Sequence, residues 1–178
     1  MEQIRLANPK DAIHIAMLGR ITFKETFGSL FRDPNDLKNY LNATFSVRKI
    51  ENSLKKANNI YWIAFVDALP VGYAKLKLTS PSQFLQSDNV SQLQKIYVLQ
   101  DFLSMKIGKR LQDLLISKAF KFGASAIWLS VLDSNTRAIN FYQKNDFKSV
   151  GVHEFSIGKE TFKFKAMAKL LNLDGKIS

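Results

Sequence analysis

Basic residues cluster at the start of a predicted helix that directly follows a predicted strand. The strand spans residues 93–99, whose centre is rich in residues that favour strands. The first turn of the helix carries three cations and one glycine, namely Lys106, Gly108, Lys109 and Arg110. Positive charge there opposes the helix dipole, and a bound anion would remove that conflict. The pattern therefore indicates either a phosphate site or a solvated basic turn.

A second group of side chains follows a later predicted strand. After Asn135 the sequence places Ala138, Phe141 and Tyr142 on one face of a short helix. Ala138 and Phe141 are most simply core residues. Tyr142 also fits a core position, with its hydroxyl group satisfied locally.

The two histidines carry little chemistry by themselves. His14 lies in a predicted helix and His153 in the last predicted hairpin, and neither has neighbours at metal-ligand spacing. His14 is interpreted as structural, whereas His153 is either structural or directed toward a substrate. The sequence also lacks nucleophile-elbow, Walker and zinc-site patterns, so we expect no metal cofactor.

The elements that must hold these groups alternate in type along the chain. Apolar patterning predicts strands at residues 2–6, 60–66, 71–78, 93–99, 126–132, 147–155 and 161–168. It predicts helices after Asn8 or Asp11, after Asp33, at 45–56, from Ile107, and after Asp133 or Ser134. This order predicts an α/β fold with a mixed sheet and helices on its faces.

Composition limits the class of protein. The chain has 178 residues, 46% of them hydrophobic, which suits one domain with a substantial core. It contains no cysteine, which excludes disulfides, thiolate metal sites and a cysteine nucleophile. No signal-peptide core or membrane-length apolar run is present, so we expect a cytoplasmic protein that does not partner a membrane. Residues 172–178 are expected to fray.

The net charge of +11 favours anionic partners. The basic residues are scattered, and no block of five or more occurs. A nucleic-acid binder is one possible interpretation of the charge, but no recognition module supports it, and we expect no nucleic-acid partner.

Together, the two chemically interesting segments resemble the GNAT superfamily of acyl-CoA-dependent N-acetyltransferases. The matching motifs are LQKIYV with the downstream I-G-K, and N-x-x-A-x-x-F-Y-x-x-x-x-F after the strand IWLSV. The run from that strand through HEFSIG is most similar to bacterial polyamine (spermidine/spermine) N-acetyltransferases. The resemblance implies one domain over residues 1–178, built on a mixed, mostly antiparallel sheet with splayed central strands and helices on both faces.

The resemblance also implies an activity: direct transfer of an acetyl group from acetyl-CoA to a primary amine. Tyr142 would act as the general acid toward the departing thiolate, and Asn135 would hydrogen-bond the cofactor arm. The positions implied for the cofactor are Ile96, Tyr97, Val98, Met105, Lys106, Ile107, Gly108, Lys109, Asn135 and Tyr142. In this arrangement the pantetheine pairs with strand backbone and the pyrophosphate rests on the basic helix start.

The sequence departs from the family pattern at the phosphate loop and on the strand before it. The family loop resembles Gln/Arg-x-x-Gly-x-Gly/Ala, whereas this chain has Leu103, Lys106 and Gly108. Relatives often carry carboxylates on the strand as the base that deprotonates the amine. Here the strand has glutamines, so we expect the base to be Glu25 or Asp33, acting through water, or solvent itself.

The acceptor stays open at this point. Glu25, Asp33 and Asp36 lie among basic residues, so the charge pattern does not by itself predict a polyamine. A small amine such as a polyamine and the amino terminus of a peptide or protein are both compatible with the sequence. A non-catalytic acyl-CoA-binding regulatory module is a further alternative, and the protein could be a monomer or a homodimer.

Overall fold

A computed structural model describes residues 1–171, which fold around one seven-stranded sheet. The strands are β1 (Glu2–Leu6), β2 (Asn59–Val66), β3 (Leu69–Lys77), β4 (Val90–Val98), β5 (Ala126–Leu132), β6 (Lys148–Ile157) and β7 (Glu160–Leu170). Their order across the sheet is β1-β2-β3-β4-β5-β7-β6. The predicted fraying of residues 172–178 concerns a segment outside the described residues.

Five α-helices accompany the sheet in the described residues. They are α1 (Ala12–Phe27), α2 (Pro34–Thr44), α3 (Val47–Leu54), α4 (Ile107–Lys121) and α5 (Thr136–Gln143). Side-chain caps fix several of their starts: Asp33 accepts the Asn35 N–H at α2, and Ser46 accepts the Lys49 N–H at α3. No helix in residues 1–171 is long and apolar enough to cross a bilayer.

Helices cover both faces of the sheet, because successive side chains of a strand point to opposite sides. On β2, Tyr61 and Ile63 pack into a cluster with residues of α1 and α3. The alternate residues Trp62 and Ala64 pack into a cluster with residues of α4. The predicted α/β class with helices on both faces is confirmed.

The centre of the sheet is open on one side. β4 and β5 form the parallel pair and share three residue pairs, from Val90–Ala126 to Gln92–Trp128. Beyond these pairs the two strands separate, whereas the remaining neighbours are antiparallel. The register between β3 and β4 also shifts, since Lys75 faces Lys95 while Leu76 faces Leu93. Gln94 is therefore an extra, bulged residue at the edge of the opening. This is the predicted mixed sheet with splayed central strands.

Three boundary predictions were wrong: the strand predicted at 93–99 spans Val90–Val98, and two helices begin at other residues for local reasons. The helix predicted at 45–56 begins only at Val47, because Phe45 ends α2 with its N–H bonded to the Leu41 carbonyl. Asn135, rather than Asp133 or Ser134, caps α5, since its side chain accepts the Ala138 N–H at 3.0 Å.

Candidate active site

The opening between β4 and β5 is a cavity of about 980 Å³. Eight of the residues that sequence analysis assigned to the cofactor line it, namely Ile96, Tyr97, Val98, Lys106, Gly108, Lys109, Asn135 and Tyr142. Two others do not. The Ile107 side chain is fully buried in the core, and the Met105 carbonyl accepts a hydrogen bond from Arg110 at 2.9 Å.

The start of α4 forms one wall of the cavity. Lys106 precedes the helix in the left-handed conformation, with φ of 57°, and no side chain caps this end. The first N–H groups of a helix have no partner within it. Lys106 and Lys109 add positive charge, and Arg137 from α5 lines the same cavity. An uncapped helix start with cations beside it can bind an anion, although Lys109 also pairs with Asp113 and Arg110 with Glu2.

Tyr142 lies deeper in the opening and is only 9% exposed. Its ring packs edge-on against Phe141 at 5.3 Å and Phe147 at 5.6 Å between centroids. Burial, followed by the proximity of Tyr97, raises the pKa of the Tyr142 hydroxyl above its usual value of 10. The phenol is therefore protonated at neutral pH and can serve as a proton donor.

Asn135 has a divided role at the same end of the cavity. Its side-chain oxygen is occupied as the cap of α5, accepting the Ala138 N–H. The amide nitrogen of Asn135 is the group left to donate to a ligand. The sequence motif that carries Asn135 and Tyr142 is thus one capped helix that directs both residues to the opening.

Aromatic side chains from α1, α2 and the last hairpin line another part of the cavity. Phe23 stacks on Phe27 at 4.3 Å between centroids and lies 4.8 Å from Tyr40. Phe155 and Phe164 from the last hairpin line the same region. An apolar wall of this kind can pack against the carbon skeleton of a ligand.

Lys95 is a site residue that the sequence analysis missed. Its ammonium group lies 5.0 Å from the ring centroid of Phe45 and 5.3 Å from that of Tyr97. Burial lowers the pKa of Lys95, while the nearby Tyr40 opposes the shift. Its place beside the bulge at Gln94 directs it into the cavity, and nothing in the local sequence pattern marks a bulge at this position.

His153 lies on β6 and is one of the residues that line the cavity. Its Nε2 atom is 2.8 Å from the Ser130 hydroxyl oxygen, and its ring stacks on Phe164 at 5.4 Å. The histidine lines the cavity and is partly exposed. It can therefore contact an acceptor as well as support the aromatic wall.

The two carboxylates assigned to substrate or base have different positions. Glu25 is exposed and lines the cavity. Asp33 is not among the lining residues. Its carboxylate instead accepts the Asn35 N–H at 2.9 Å and pairs with Lys159 at 3.1 Å, which lowers the Asp33 pKa. The structure brings Glu25 to the site and leaves Asp33 with a role in helix capping.

Solved structures of known proteins share this architecture. The PaiA N-acetyltransferase of Thermoplasma acidophilum, in complex with coenzyme A, superposes with a TM-score of 0.74 at 21% identity, over 93% of this chain and 98% of that one. The ribosomal-protein-S18-alanine N-acetyltransferase of Escherichia coli gives a TM-score of 0.70 at 16% identity, over 99% and 97% of the two chains. At these identities the likeness establishes the fold.

Sequence comparison identifies the family. An uncharacterized N-acetyltransferase of Lactobacillus delbrueckii subsp. lactis is 26% identical over 151 residues, which are 85% of this chain and 87% of the relative. One from Mycobacterium tuberculosis is 27% identical over 125 residues, or 70% and 76% of the two chains. The model of the Acetyltransferase (GNAT) family matches residues 24–147. The chain therefore belongs to the GNAT family and is an acetyl-CoA-dependent N-acetyltransferase.

Proposed function

We propose that the protein transfers the acetyl group of acetyl-CoA directly to the primary amine of a small molecule bound at the aromatic end of the cavity. One observation carries this proposal: Tyr142, an uncapped helix start and an aromatic wall line the same opening in the sheet. A proton donor, a candidate anion site and an apolar wall thus share one opening, and acetyl transfer from a CoA thioester to an acceptor uses all three.

In this proposal the cofactor occupies the separated part of β4 and the start of α4. The backbone of Ile96 to Val98 has no pairing with β5, so its free N–H and C=O groups can bind the pantetheine amides. The helix start, with Lys106, Gly108 and Lys109, holds the pyrophosphate. The Asn135 amide nitrogen donates to the cofactor arm. Met105 and Ile107 contribute through their backbone, since neither side chain lines the cavity.

The transfer step balances without a covalent enzyme intermediate. The neutral amine nitrogen attacks the thioester carbonyl carbon, the C–S bond breaks, and the acetyl group becomes an amide. The departing thiolate takes the proton of the Tyr142 hydroxyl, and the amine proton restores the phenol. General-acid assistance of this kind typically contributes about 10²–10⁴-fold to the rate.

The amine must reach the thioester as a free base. Glu25 is the carboxylate that lines the cavity, and being exposed it can relay a proton to solvent through water. Asp33 is unsuited to this task because its carboxylate is bonded to the start of α2 and to Lys159. We therefore assign the base to Glu25 with water, or to solvent alone.

A polyamine acceptor, the narrower prediction from sequence, receives no support from the charges of the cavity. Its lining residues include one carboxylate, Glu25, and four basic residues, Lys95, Lys106, Lys109 and Arg137. The cations at the cofactor end are balanced by the CoA phosphates, but Lys95 lies at the acceptor end and would repel a polycation. We favour a small amine of lower positive charge.

The test measures release of free CoA from acetyl-CoA with a panel of amines against a control without amine. The panel contains spermidine, a simple monoamine, an anionic amine and a short peptide with a free amino terminus. Amine-dependent release with one chemical class preferred would support the proposal and name that class. Release with the peptide alone would replace the small molecule by a protein amino terminus, and release at the control rate with every amine would overturn the proposal.

A further inference from the structure

A second groove, of about 630 Å³, lies beside the cavity on the same face of the sheet. Lys75 on β3 is the cross-strand partner of Lys95 on β4, and residues two apart on each strand, Tyr73 and Tyr97, pack edge-on at 5.6 Å. Side chains two residues apart share a face. The bulged Gln94 lines both openings. The groove and the acceptor end of the cavity are therefore adjacent.

The charged side chains that line this groove are all positive. They come from α3, from the segment after it and from β3, namely Arg48, Lys49, Lys56, Lys75 and Lys77. No aspartate or glutamate is among the lining residues. Within residues 1–171, none of the five cations forms an ion pair. The fold thus brings five basic residues that are separated in the sequence together in one groove.

Lys75 lines the groove, close to the other positive charges. It is half-buried, with its ammonium group 5.3 Å from the ring centroid of Tyr61. Burial, followed by the charges of Lys95, Lys77, Lys56 and Lys49, lowers the pKa of Lys75 to about 8. Like charges held together without counter-charges destabilise a fold, and a bound anion relieves that cost.

We propose that the groove binds an anionic group of the acceptor, so that the substrate is a primary amine whose skeleton also carries a phosphoryl group. This proposal rests on the proposed function and specifies its substrate class. Lysine ammonium groups are compact donors that suit phosphate oxygens. Lys95 and Gln94 connect the groove to the acceptor end of the cavity, so the anion and the reacting amine belong to one molecule.

The test compares aminoalkyl phosphates with the matching amino alcohols. The series contains 2-aminoethyl, 3-aminopropyl and 6-aminohexyl phosphate, each paired with the alcohol that lacks phosphate, and acetyl-CoA is saturating. β-Alanine replaces phosphate by carboxylate. We expect kcat/KM for at least one phosphate to exceed that of its alcohol by about tenfold or more, the size of one or two charge-assisted hydrogen bonds. The preferred chain length then reports the span from groove to thioester.

Two double variants localise the effect. Lys75→Gln with Lys77→Gln removes two charges from the groove, and Lys118→Gln with Lys121→Gln removes two exposed charges from the last turns of α4, on the other face of the sheet. The groove variant should lose the preference for phosphate through KM while its kcat/KM for amino alcohols is retained. The single variant Lys49→Gln, at an exposed position of α3, gives the same comparison without altering a half-buried residue.

Equal kcat/KM for each phosphate and its alcohol would overturn the proposal. So would a loss of preference in the α4 variant as large as that in the groove variant. If β-alanine equals the phosphates, the anion is a carboxylate and the phosphoryl assignment is wrong. If no amine is acetylated, the proposed function fails, and calorimetric titration of the aminoalkyl phosphates into the CoA complex still decides the groove. If wild type binds the aminoalkyl phosphates and the groove variant does not, the groove assignment is supported. If wild type does not bind them, the assignment is refuted.

Discussion

The ammonium group of Lys95 lies over the ring of Tyr97, 5.3 Å from its centroid, and the two residues stand two positions apart on the strand that borders the cofactor opening. Tyr97 is a residue that the family resemblance assigns to the cofactor, whereas Lys95 is directed to the acceptor end. In the proposed function, this one strand contacts the cofactor through its backbone and the acceptor through the charge of a side chain.

Lys95→Met tests this division, because methionine keeps the apolar stem and removes the charge. We expect KM for a polycation such as spermidine to fall several-fold and KM for an aminoalkyl phosphate to rise by a similar factor. KM for acetyl-CoA should stay within twofold of the wild-type value. Steady-state kinetics with both acceptors measure the effect, and a shift of the two acceptor KM values in the same direction would contradict the assigned role.

Tyr142→Phe tests the general acid. The variant keeps the ring that packs against Phe141 and Phe147 and removes the hydroxyl group. Turnover should fall by ~10²-fold or more, with the affinity for acetyl-CoA unchanged, because the proton is needed only as the thiolate departs. Tyr61→Phe is the matched control, since Tyr61 is buried, hydrogen-bonded to Ser53 at 2.7 Å and outside the cavity lining. Unchanged turnover in Tyr142→Phe would remove the phenol from the mechanism.

Gly108→Ala separates stability from cofactor binding. A methyl group at this position meets nothing closer than the Val98 side chain at 4.0 Å, and alanine favours helix over glycine by up to about 1 kcal/mol. The melting temperature should therefore hold or rise. Affinity for acetyl-CoA should fall about tenfold if the pyrophosphate contacts this turn closely.

Acetyl-pantetheine, which lacks the pyrophosphate, is the control ligand for that variant. Its affinity should be the same for wild type and Gly108→Ala. An equal loss of affinity for both ligands would show that the substitution affects binding of the pantetheine arm. An unchanged Kd for acetyl-CoA would show that the phosphates do not contact Gly108.

Lys75→Met addresses the pH dependence of stability. The folded-state pKa of Lys75 is about 8 against an ordinary value of 10.5, so the folded protein holds this proton less tightly than the unfolded chain. The charged lysine therefore opposes folding at neutral pH, and this cost disappears as pH rises from about 8 toward 10.5. The methionine variant should be more stable than wild type by about 1 kcal/mol at neutral pH, after allowance for partial solvation. Its advantage should decrease above pH 8 and vanish only above pH 10.5.

Denaturant unfolding at several pH values measures that difference. Lys77→Met, at a half-buried neighbour two residues along β3, is the control. The same pH dependence in both variants would show that the groove as a whole, rather than the burial of Lys75, sets the trend.

The sequence predicted the helix start at Ile107 and the presence of the short helix that carries Tyr142, because both depend on local patterns. After α5, Asp146 adopts a positive φ of 68°, a conformation that aspartate tolerates better than most residues. Caps were less certain, since Asp133, Ser134 and Asn135 are all good capping types and only the backbone geometry selects one.

The acceptor side could not be predicted in the same way. The bulge at Gln94 depends on the register between β3 and β4, and register is a long-range property. Lys75 and Lys95 are separated by 20 positions of sequence, yet they are cross-strand partners. The local sequence around Asp33 suggests a free carboxylate, but Lys159 from the last hairpin pairs with it in the structure. Such pairings appear only when the whole sheet is assembled.

The three residue pairs between β4 and β5 have a consequence for cooperativity. Sheet hydrogen bonding joins β1–β4 to β5–β7 through this short seam, so the two halves are held together mainly by the helices that pack on both of them and by a ligand in the opening. A ligand that binds only the native state shifts the folding equilibrium toward it. Bound acetyl-CoA should therefore stabilise the contact between the two halves of the sheet. When it binds, the backbone amides of both β4 and β5 should exchange their hydrogens with solvent more slowly.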